Sequence, residues 1–207
     1  MKRTTKDDYI QSVYKVIFYI EQNYSYNLTL EELSKVAGFS KYHFHRIFKS
    51  IIGENLSDYI RRVRFSSTTL KFKTNQKITQ IAIDSGYETN ASFSKAFKNH
   101  FGMTPKEFSK NAKIKKGNTM IEPEILEIED IDILYARATG AYHNSVEEAW
   151  GKILEFAYAN NLTGKIKVRY EIGHDNPNVI EDKKIRYDAC VEVSNSSIKP
   201  TGEILSK

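Results

Sequence analysis

The chain has 207 residues, of which 40% are hydrophobic and 28% charged, a balance that excludes extended disorder and suits one large domain or two small ones. No run of about 18 apolar residues offers a membrane span, so no membrane partner is expected. The formal net charge of +5 is unevenly spread: residues 1–118 carry 21 Lys/Arg against 10 Asp/Glu, and residues 119–207 carry 10 against 16. A basic half joined to an acidic half implies two parts with different partners, the first suited to a polyanion. The opening "MKRTTKDDYI" lacks the apolar core of an export signal, and a single Cys190 can form no internal disulfide. Both features lead to the expectation of a cytoplasmic protein.

The first half reads as helical. Ile10, Val13, Ile17 and Ile20 fall at helical spacing and form one apolar stripe over residues 9–22. Thr29 opens a second helix as N-cap, with Glu32 three residues on in the capping-box position. Gly38 ends that helix, since glycine enters a left-handed turn without steric cost. Ser40 caps the next, whose Phe44, Ile47 and Phe48 face inward. Two helices joined by a tight glycine turn are the layout of a helix-turn-helix.

The layout is then written again. "GFSKYHFHRIFKSIIG" at residues 38–53 has a near copy, "GYETNASFSKAFKNHFG", at residues 86–102. Ile78, Ile81, Ala82 and Ile83 supply the leading helix of the second copy, Gly86 its turn, Thr89 its cap, and Phe93, Ala96 and Phe97 its inner face. The exits also match, Asn55 to Tyr59 pairing with Thr104 to Phe108. Between the copies, "NLSDYIRRVRFSSTTLKFK" reads as a connecting helix about 28 Å long. The repeat of the major groove along one face of DNA is about 34–36 Å, so such a helix suits two reading heads in successive grooves.

Residues 113–119 read as a basic, polar linker, within the stretch "SKNAKIKKGNT". Beyond it the periodicity falls to two: residues 131–138, 165–172 and 184–193 alternate as strands. A helix capped by Ser145 and completed by Glu148 lies between the first and second, and "GHDNPN" turns the last two into a hairpin. The expected fold is an all-α double helix-turn-helix domain over residues 1–112, followed by a small α+β (strand–helix–strand–strand) module over residues 120–207. Three strands and one helix would leave a sheet edge and one apolar face bare. Ile166, Val168, Tyr170, Ile185 and Tyr187 are the candidates for the face to be covered, and a homodimer through residues 120–194 is the expected remedy.

Groove reading requires hydrogen-bonding side chains near a helix N-terminus, with Arg or Lys for guanine edges and phosphates. Lys41, Tyr42, His45 and Arg46 occupy those positions in the first copy, and Asn90, Ala91, Ser92 and Lys95 in the second. Lys49, Lys98 and one of Arg61 and Arg62 are placed for phosphate. A solvated polar face is the bland alternative, but the doubled turn and the basic charge favour double-stranded DNA. His43, His45 and His100 are not expected to bind metal, because residues i and i+2 of a helix point about 200° apart. Trp150 sits on an apolar helix face, as core or as a stacking surface for a ligand. Cys190 faces away from Ala189 and Val191 and has no partner base, so neither a nucleophile nor any other catalytic residue is expected, and no cofactor.

Residues 9–112 resemble the DNA-binding domain of the AraC/XylS family of transcription regulators, most specifically through "IAIDSGYETNASFSKAFKNHFGMTPKEF". The resemblance implies base contacts from Tyr42, His45 and Arg46, then from Asn90, Ala91, Ser92 and Lys95, and RNA polymerase as a further partner. Residues 120–194 are similar to the first half of a GyrI-like effector-binding domain, through "YARATGAY", "AWGKI" and "RYDACVEV". That similarity implies a small-molecule effector, with Trp150, Tyr170 and Tyr187 as candidate contacts. The expected function is a sequence-specific transcription regulator modulated by an effector. The alternative is a small-molecule- or gyrase-binding module tethered to DNA, with sensing impaired by truncation.

Overall fold

The computed structural model describes residues 5–72, 74, 76–114, 130–177, 180–193 and 200–206. The helical half contains α1 (Thr5–Asn23), α2 (Leu30–Ala37), α3 (Lys41–Ile52), α4 (Leu56–Lys71), α5 (Ile78–Asp84), α6 (Asn90–Phe101) and α7 (Pro105–Ile114). The second half contains β1 (Ile133–Thr139), α8 (Tyr142–Ala159), β2 (Ile166–Gly173), β3 (Arg186–Val193) and β4 (Ile204–Ser206). The chain forms two compact units: Met1–Tyr19 with Thr29–Leu56 and Asp130–Lys207, and Ile20–Leu28 with Ser57–Glu129.

Each helix-turn-helix forms for the reasons its sequence suggests. Gly38 has φ +74° and donates its amide to the Lys35 carbonyl, while the Phe39 amide reaches the Ser34 carbonyl. Gly86, at φ +79°, repeats the pattern, donating to Ile83 while Tyr87 donates to Ala82. These paired bonds satisfy the last carbonyls of α2 and α5 in the same way, a Schellman turn that demands a left-handed residue. Thr29, Ser40 and Thr89 cap α2, α3 and α6 by accepting from the amide three residues on. Glu32 does not complete a reciprocal box: its carboxylate instead accepts from the Tyr19 hydroxyl at 2.6 Å. Thr104 and Glu107 do exchange both bonds at the start of α7.

In the unit built on α4, Phe65, Phe72, Phe93 and Phe97 are fully buried and meet edge-on or tilted. Such aromatic pairs add about 0.5–1.5 kcal/mol beyond the area they bury. The helix itself has 16 residues, so it runs about 24 Å, shorter than the sequence suggests. Arg64 fastens it by donating to the Tyr24 and Tyr26 carbonyls at 2.8 and 2.9 Å. Thr68 and Ser85 hydrogen-bond at 2.7 Å in the interior. Of the four apolar residues that supply α5, Ile81 and Ala82 are buried and Ile83 is 59% exposed. Helix α7 continues through Ile114, over the first two residues of the expected linker. Residues 115–119 lie outside the described residues.

The sheet of the other unit has four antiparallel strands in the order β2-β3-β1-β4. The fourth, β4, pairs with β1 and closes an edge that the sequence leaves open. Helix α8 covers one face, against Leu134, Ala136, Tyr187, Ala189 and Val191. It starts three residues before Ser145, whose buried hydroxyl caps nothing and has no hydrogen-bond partner among the described residues. The opposite face carries Ile133, Tyr135, Cys190 and Leu205, with Tyr14 of α1 packed against them. The bare face that would call for a dimer is therefore occupied, and Cys190 is buried there rather than exposed. The expected set for a single covered face also divides. Ile166 and Tyr187 face α8, Tyr170 faces the α1 side, Ile185 is buried just before β3, and Val168 is 42% exposed beside an irregularity in the β2–β3 register.

One buried ion pair crosses the sheet on the α1 side. Arg137 of β1 stands opposite Asp188 of β3 and donates to both its carboxylate oxygens at 2.6 and 2.9 Å, both residues being buried. His174 adds a contact to Asp188 at 2.7 Å. Burial opposes ionisation of Asp188, but the Arg137 charge and hydrogen bonds outweigh it and hold the carboxyl well below the usual carboxylate range.

Gly86→Ala should destabilise the protein more than Gly38→Ala, as read from thermal melts. Both place a methyl on a left-handed residue, a cost of about 1–2 kcal/mol. At Gly86 alone the new Cβ would also lie 2.8 Å from the Tyr24 carbonyl oxygen, whereas at Gly38 it meets nothing within 4 Å. Equal losses would show that the close approach is immaterial. The Asp188 carboxyl, depressed in the folded state, contributes stability that is present above the unfolded value of about 3.9 and is lost as pH falls towards its folded value. Asp188→Asn should therefore destabilise at pH 7 by about 3–5 kcal/mol, by leaving Arg137 buried without its charge partner, and should flatten the acid limb of the stability curve. A variant that keeps the wild-type acid limb would remove Asp188 as its source.

Candidate nucleic-acid interface

On α3, turning Phe44, Ile47 and Phe48 into the core leaves Lys41, Tyr42, His45, Arg46 and Lys49 exposed. Tyr42 is 94% exposed. Lys41 is partly committed, since its ammonium lies 2.8 Å from Glu31 on α2. Hydrogen bonds from Lys41 and Lys35 hold the Glu31 carboxyl below its ordinary value. Such solvent-exposed pairs are weak and exchange readily for a phosphate. His43 is the exception on this turn: it packs edge-on against Tyr9 of α1 and beside Phe39.

On α6, burial of Phe93 and Phe97 leaves Asn90, Ala91, Ser92, Lys95 and Lys98 exposed. Ser92 donates its hydroxyl to the Thr89 carbonyl at 2.9 Å, which ties it to the cap. Arg61 of α4 joins Ser92, Lys95, Ala96, Asn99 and His100 in lining a groove of about 410 Å³. Asn99 is absent from the sequence-derived set, although it lies four residues after Lys95 and seven after Ser92, on one helical face. Asn and Arg are the side chains that pair bidentately with adenine and guanine edges.

Three arginines within four positions of α4 have separate roles. Arg61 is exposed and pairs with Asp58 at 3.0 Å. Arg62 is 4% exposed and lies over the Tyr59 ring, so of the two phosphate candidates only Arg61 is reachable. Arg64 serves the backbone of residues 24 and 26, and burial lowers its pKa. No group of three His, Cys, Asp or Glu side chains among the described residues is placed to hold a metal ion. Among the same residues no helix is long and apolar enough to cross a membrane.

The sheet unit divides its three aromatic candidates. Trp150 donates its indole N–H to the Tyr187 hydroxyl at 3.1 Å and to Glu171 at 3.3 Å. Tyr142 meets Tyr187 edge-on at 5.7 Å and is 49% exposed. Burial first, and the neighbouring Glu171, push the Tyr187 phenol up to about 12, so it stays neutral. Tyr170 stands opposite Cys190 on the other face and donates to Glu192. Trp150 and Tyr187 thus form one cluster with Glu171 and Tyr142, and Tyr170 does not join it.

Residues 33–111 match a helix-turn-helix domain family, and residues 121–206 match a GyrI-like small molecule binding domain family. The multiple antibiotic resistance protein MarA of Escherichia coli strain K12 is 32% identical over 98 residues, spanning 47% of this chain and 77% of its own. The HTH-type transcriptional activator AarP of Providencia stuartii is 28% identical over 112 residues, 54% of this chain and 83% of its own. Among solved structures, the DNA-binding domain of AdpA, a global transcriptional factor in complex with a target DNA, aligns with a TM-score of 0.50. It covers 53% of this chain and 99% of that one at 15% identity, a likeness of fold alone.

The chain has one Trp, so its fluorescence reports the Trp150 cluster directly. Tyr187→Phe removes an acceptor from the indole and should shift the emission, with a stability loss of about 0.5–1.5 kcal/mol. Tyr170→Phe, on the opposite face, should leave the emission unchanged. A response to Tyr170→Phe equal to that of Tyr187→Phe would contradict the division of the faces.

Proposed function

This chain belongs to the AraC family of DNA-binding transcription regulators and carries a GyrI-like domain, and on that footing we propose that it reads duplex DNA with the N-terminal turns of both α3 and α6. The carrying observation is the matched presentation: each helix buries a Phe pair and leaves hydrogen-bonding and basic side chains on the outer side. In this reading Tyr42, His45 and Arg46 address base edges from α3, and Asn90, Ser92, Lys95 and Asn99 do so from α6. Ala91 supplies an apolar contact of the kind that suits a thymine methyl. Lys41, Lys49, Lys98 and Arg61 hold phosphates. The two heads address successive major grooves, and residues 1–112 act as the DNA-binding part.

The GyrI-like domain supports a small-molecule effector, for which Trp150, Tyr142 and Tyr187 form an aromatic cluster with the Glu171 carboxylate beside it. The chain acts in the cytoplasm, without enzymatic activity, and affects transcription through RNA polymerase. Self-association through residues 120–194 is not part of this reading, since Tyr14 of α1 packs on the face proposed to drive it and β4 pairs with β1. A module that binds a small molecule or gyrase and uses DNA only as an anchor is the competing function. It would show no preference among sequences.

Selection of duplexes from a random pool, followed by titration at several salt concentrations, tests the proposal. Arg46→Ala should weaken binding to the selected sequence by about 1–3 kcal/mol and relax preference at one base position. Lys49→Ala should weaken all duplexes alike and flatten the salt dependence. Proportional losses of specific and non-specific affinity in both variants would overturn this division of roles, and recovery of no preferred sequence would favour the anchored module.

A further inference from the structure

Helix α1 touches two different things on opposite sides. Gln11 donates its side-chain amide to the Gly202 and Ile204 carbonyls at 2.9 and 2.7 Å, gripping the start of β4. Asp7 lies one turn earlier, its carboxylate 3.8 Å from where a Cβ at Gly202 would stand. One turn later, Tyr14 packs on Ile133, Tyr135, Cys190 and Leu205 of the sheet, and burial raises its pKa while the nearby Arg137 charge opposes the rise. Residues 7, 11 and 14 share one side of the helix at about 100° per residue.

Tyr9, about 200° round the helix from Gln11, faces the other way. Its ring meets Phe39 edge-on at 5.6 Å and His43 at 5.5 Å. Phe39 is the residue that closes the turn after Gly38, and His43 stands in the first turn of α3 between the exposed Tyr42 and His45. Tyr9, Gln11, Phe39, His43 and β4 all belong to one compact unit. A rigid helix thus joins the edge of the small-molecule-binding sheet to the turn that aims the first reading helix.

We propose that α1 is a coupling strut: Gln11 and Tyr14 register the position of β4 and the sheet, and Tyr9 passes it to the N-terminal turn of α3 through Phe39 and His43. Its output rests on the DNA-reading role given above, whereas the link itself is a property of the free protein. The physical basis is a continuous chain of packed groups, with the Gln11 amide hydrogen-bonded to the Gly202 carbonyl just before β4 and to the Ile204 carbonyl within it. The grip is bidentate and partly buried, so displacement of β4 moves or releases the helix. Lys152 connects the same strand to α8, bridging Glu148 on that helix and Glu203 at the start of β4, both at 2.6 Å. A ligand that shifts α8 therefore acts on β4 directly. Tyr9 and Gln11 are positioning residues in this scheme, and neither needs to touch DNA.

The test uses the full chain and needs no effector. The ring-proton resonances of His43 are followed by NMR in the free protein, because a neighbouring Tyr ring makes them sensitive to its placement. Gln11→Leu, which keeps bulk and helix propensity but removes the donor, should move the His43 resonances. It should also weaken binding to the duplex selected by the wild type about 5-fold or more, the scale of a typical allosteric coupling. Gln11→Lys, which restores a donor to the two carbonyls, should return both readouts towards wild type. In a Tyr9→Leu background, Gln11→Leu should have no further effect on DNA affinity, as a double-mutant cycle requires of one linked path. If Gln11→Leu fails to fold, Gln11→Met serves the same comparison. Unchanged His43 resonances in the folded variant, or an equal loss of affinity with and without Tyr9, would overturn the strut. Failure to select any duplex would remove the DNA-reading role while the His43 response still decides the link.

Discussion

At Gly38 and Gly86 the backbone passes through φ values of +74° and +79°, and the next helix begins within four residues of each. The paired amide bonds that close these turns fix the direction in which the following helix leaves and the phase in which it starts. From there everything on α3 and α6 is determined by 3.6-residue periodicity. Phe44 and Phe48, or Phe93 and Phe97, go inward, and the polar residues between them have no choice but to face out. The outer surface of each helix is therefore the complement of a core, and the turn decides which residues belong to which. At Gly86 the constraint is doubled, because the Tyr24 carbonyl and Arg64 leave no room for a side chain.

Helix α4 shows how closely structural and functional charge can be interleaved. Arg61, Arg62 and Arg64 span four residues, yet one lines the groove with Lys95 and Asn99, one covers a Tyr ring, and one caps carbonyls of residues 24 and 26. Rotation of about 100° per residue separates them. The net positive charge of the first half thus overstates what is offered to a polyanion, since part of it is consumed in holding the helix in place. The aromatic cluster of Phe65, Phe72, Phe93 and Phe97 supplies the rigidity behind the groove.

The sheet unit rests on a different economy of faces. Alternation sends Leu134, Ala136, Tyr187 and Ala189 to α8, and Ile133, Tyr135 and Cys190 to the side met by Tyr14. The same alternation puts Arg137 and Asp188 on the α1 side, where burial makes their pairing obligatory. Helix α8 packs on one face, Tyr14 on the other, and β4 is added beside β1, which leaves β2 as the outer strand on the other side. What remains exposed near Trp150 is aromatic and acidic, a suitable lining for a small molecule.

Local rules written in the sequence determined the helices, the Thr29, Ser40 and Thr89 caps, both glycine turns and the alternating strands, because each depends on neighbours within about four residues. They also determined the exposed faces of α3 and α6, down to Arg46 and Lys95, since periodicity alone assigns them. Tertiary structure decided the rest. It separated Tyr170 from Trp150 and Tyr187, because strand register, not spacing along one strand, sets which residues share a face. It buried Arg62 while leaving Arg61 in the groove, and it added Asn99 to that groove. It brought β4, a three-residue strand too short to carry a pattern, to the edge of β1. Above all it laid α1 on the sheet: the contacts of Gln11 with residues 202 and 204 span more than 190 positions, and no periodicity reaches that far.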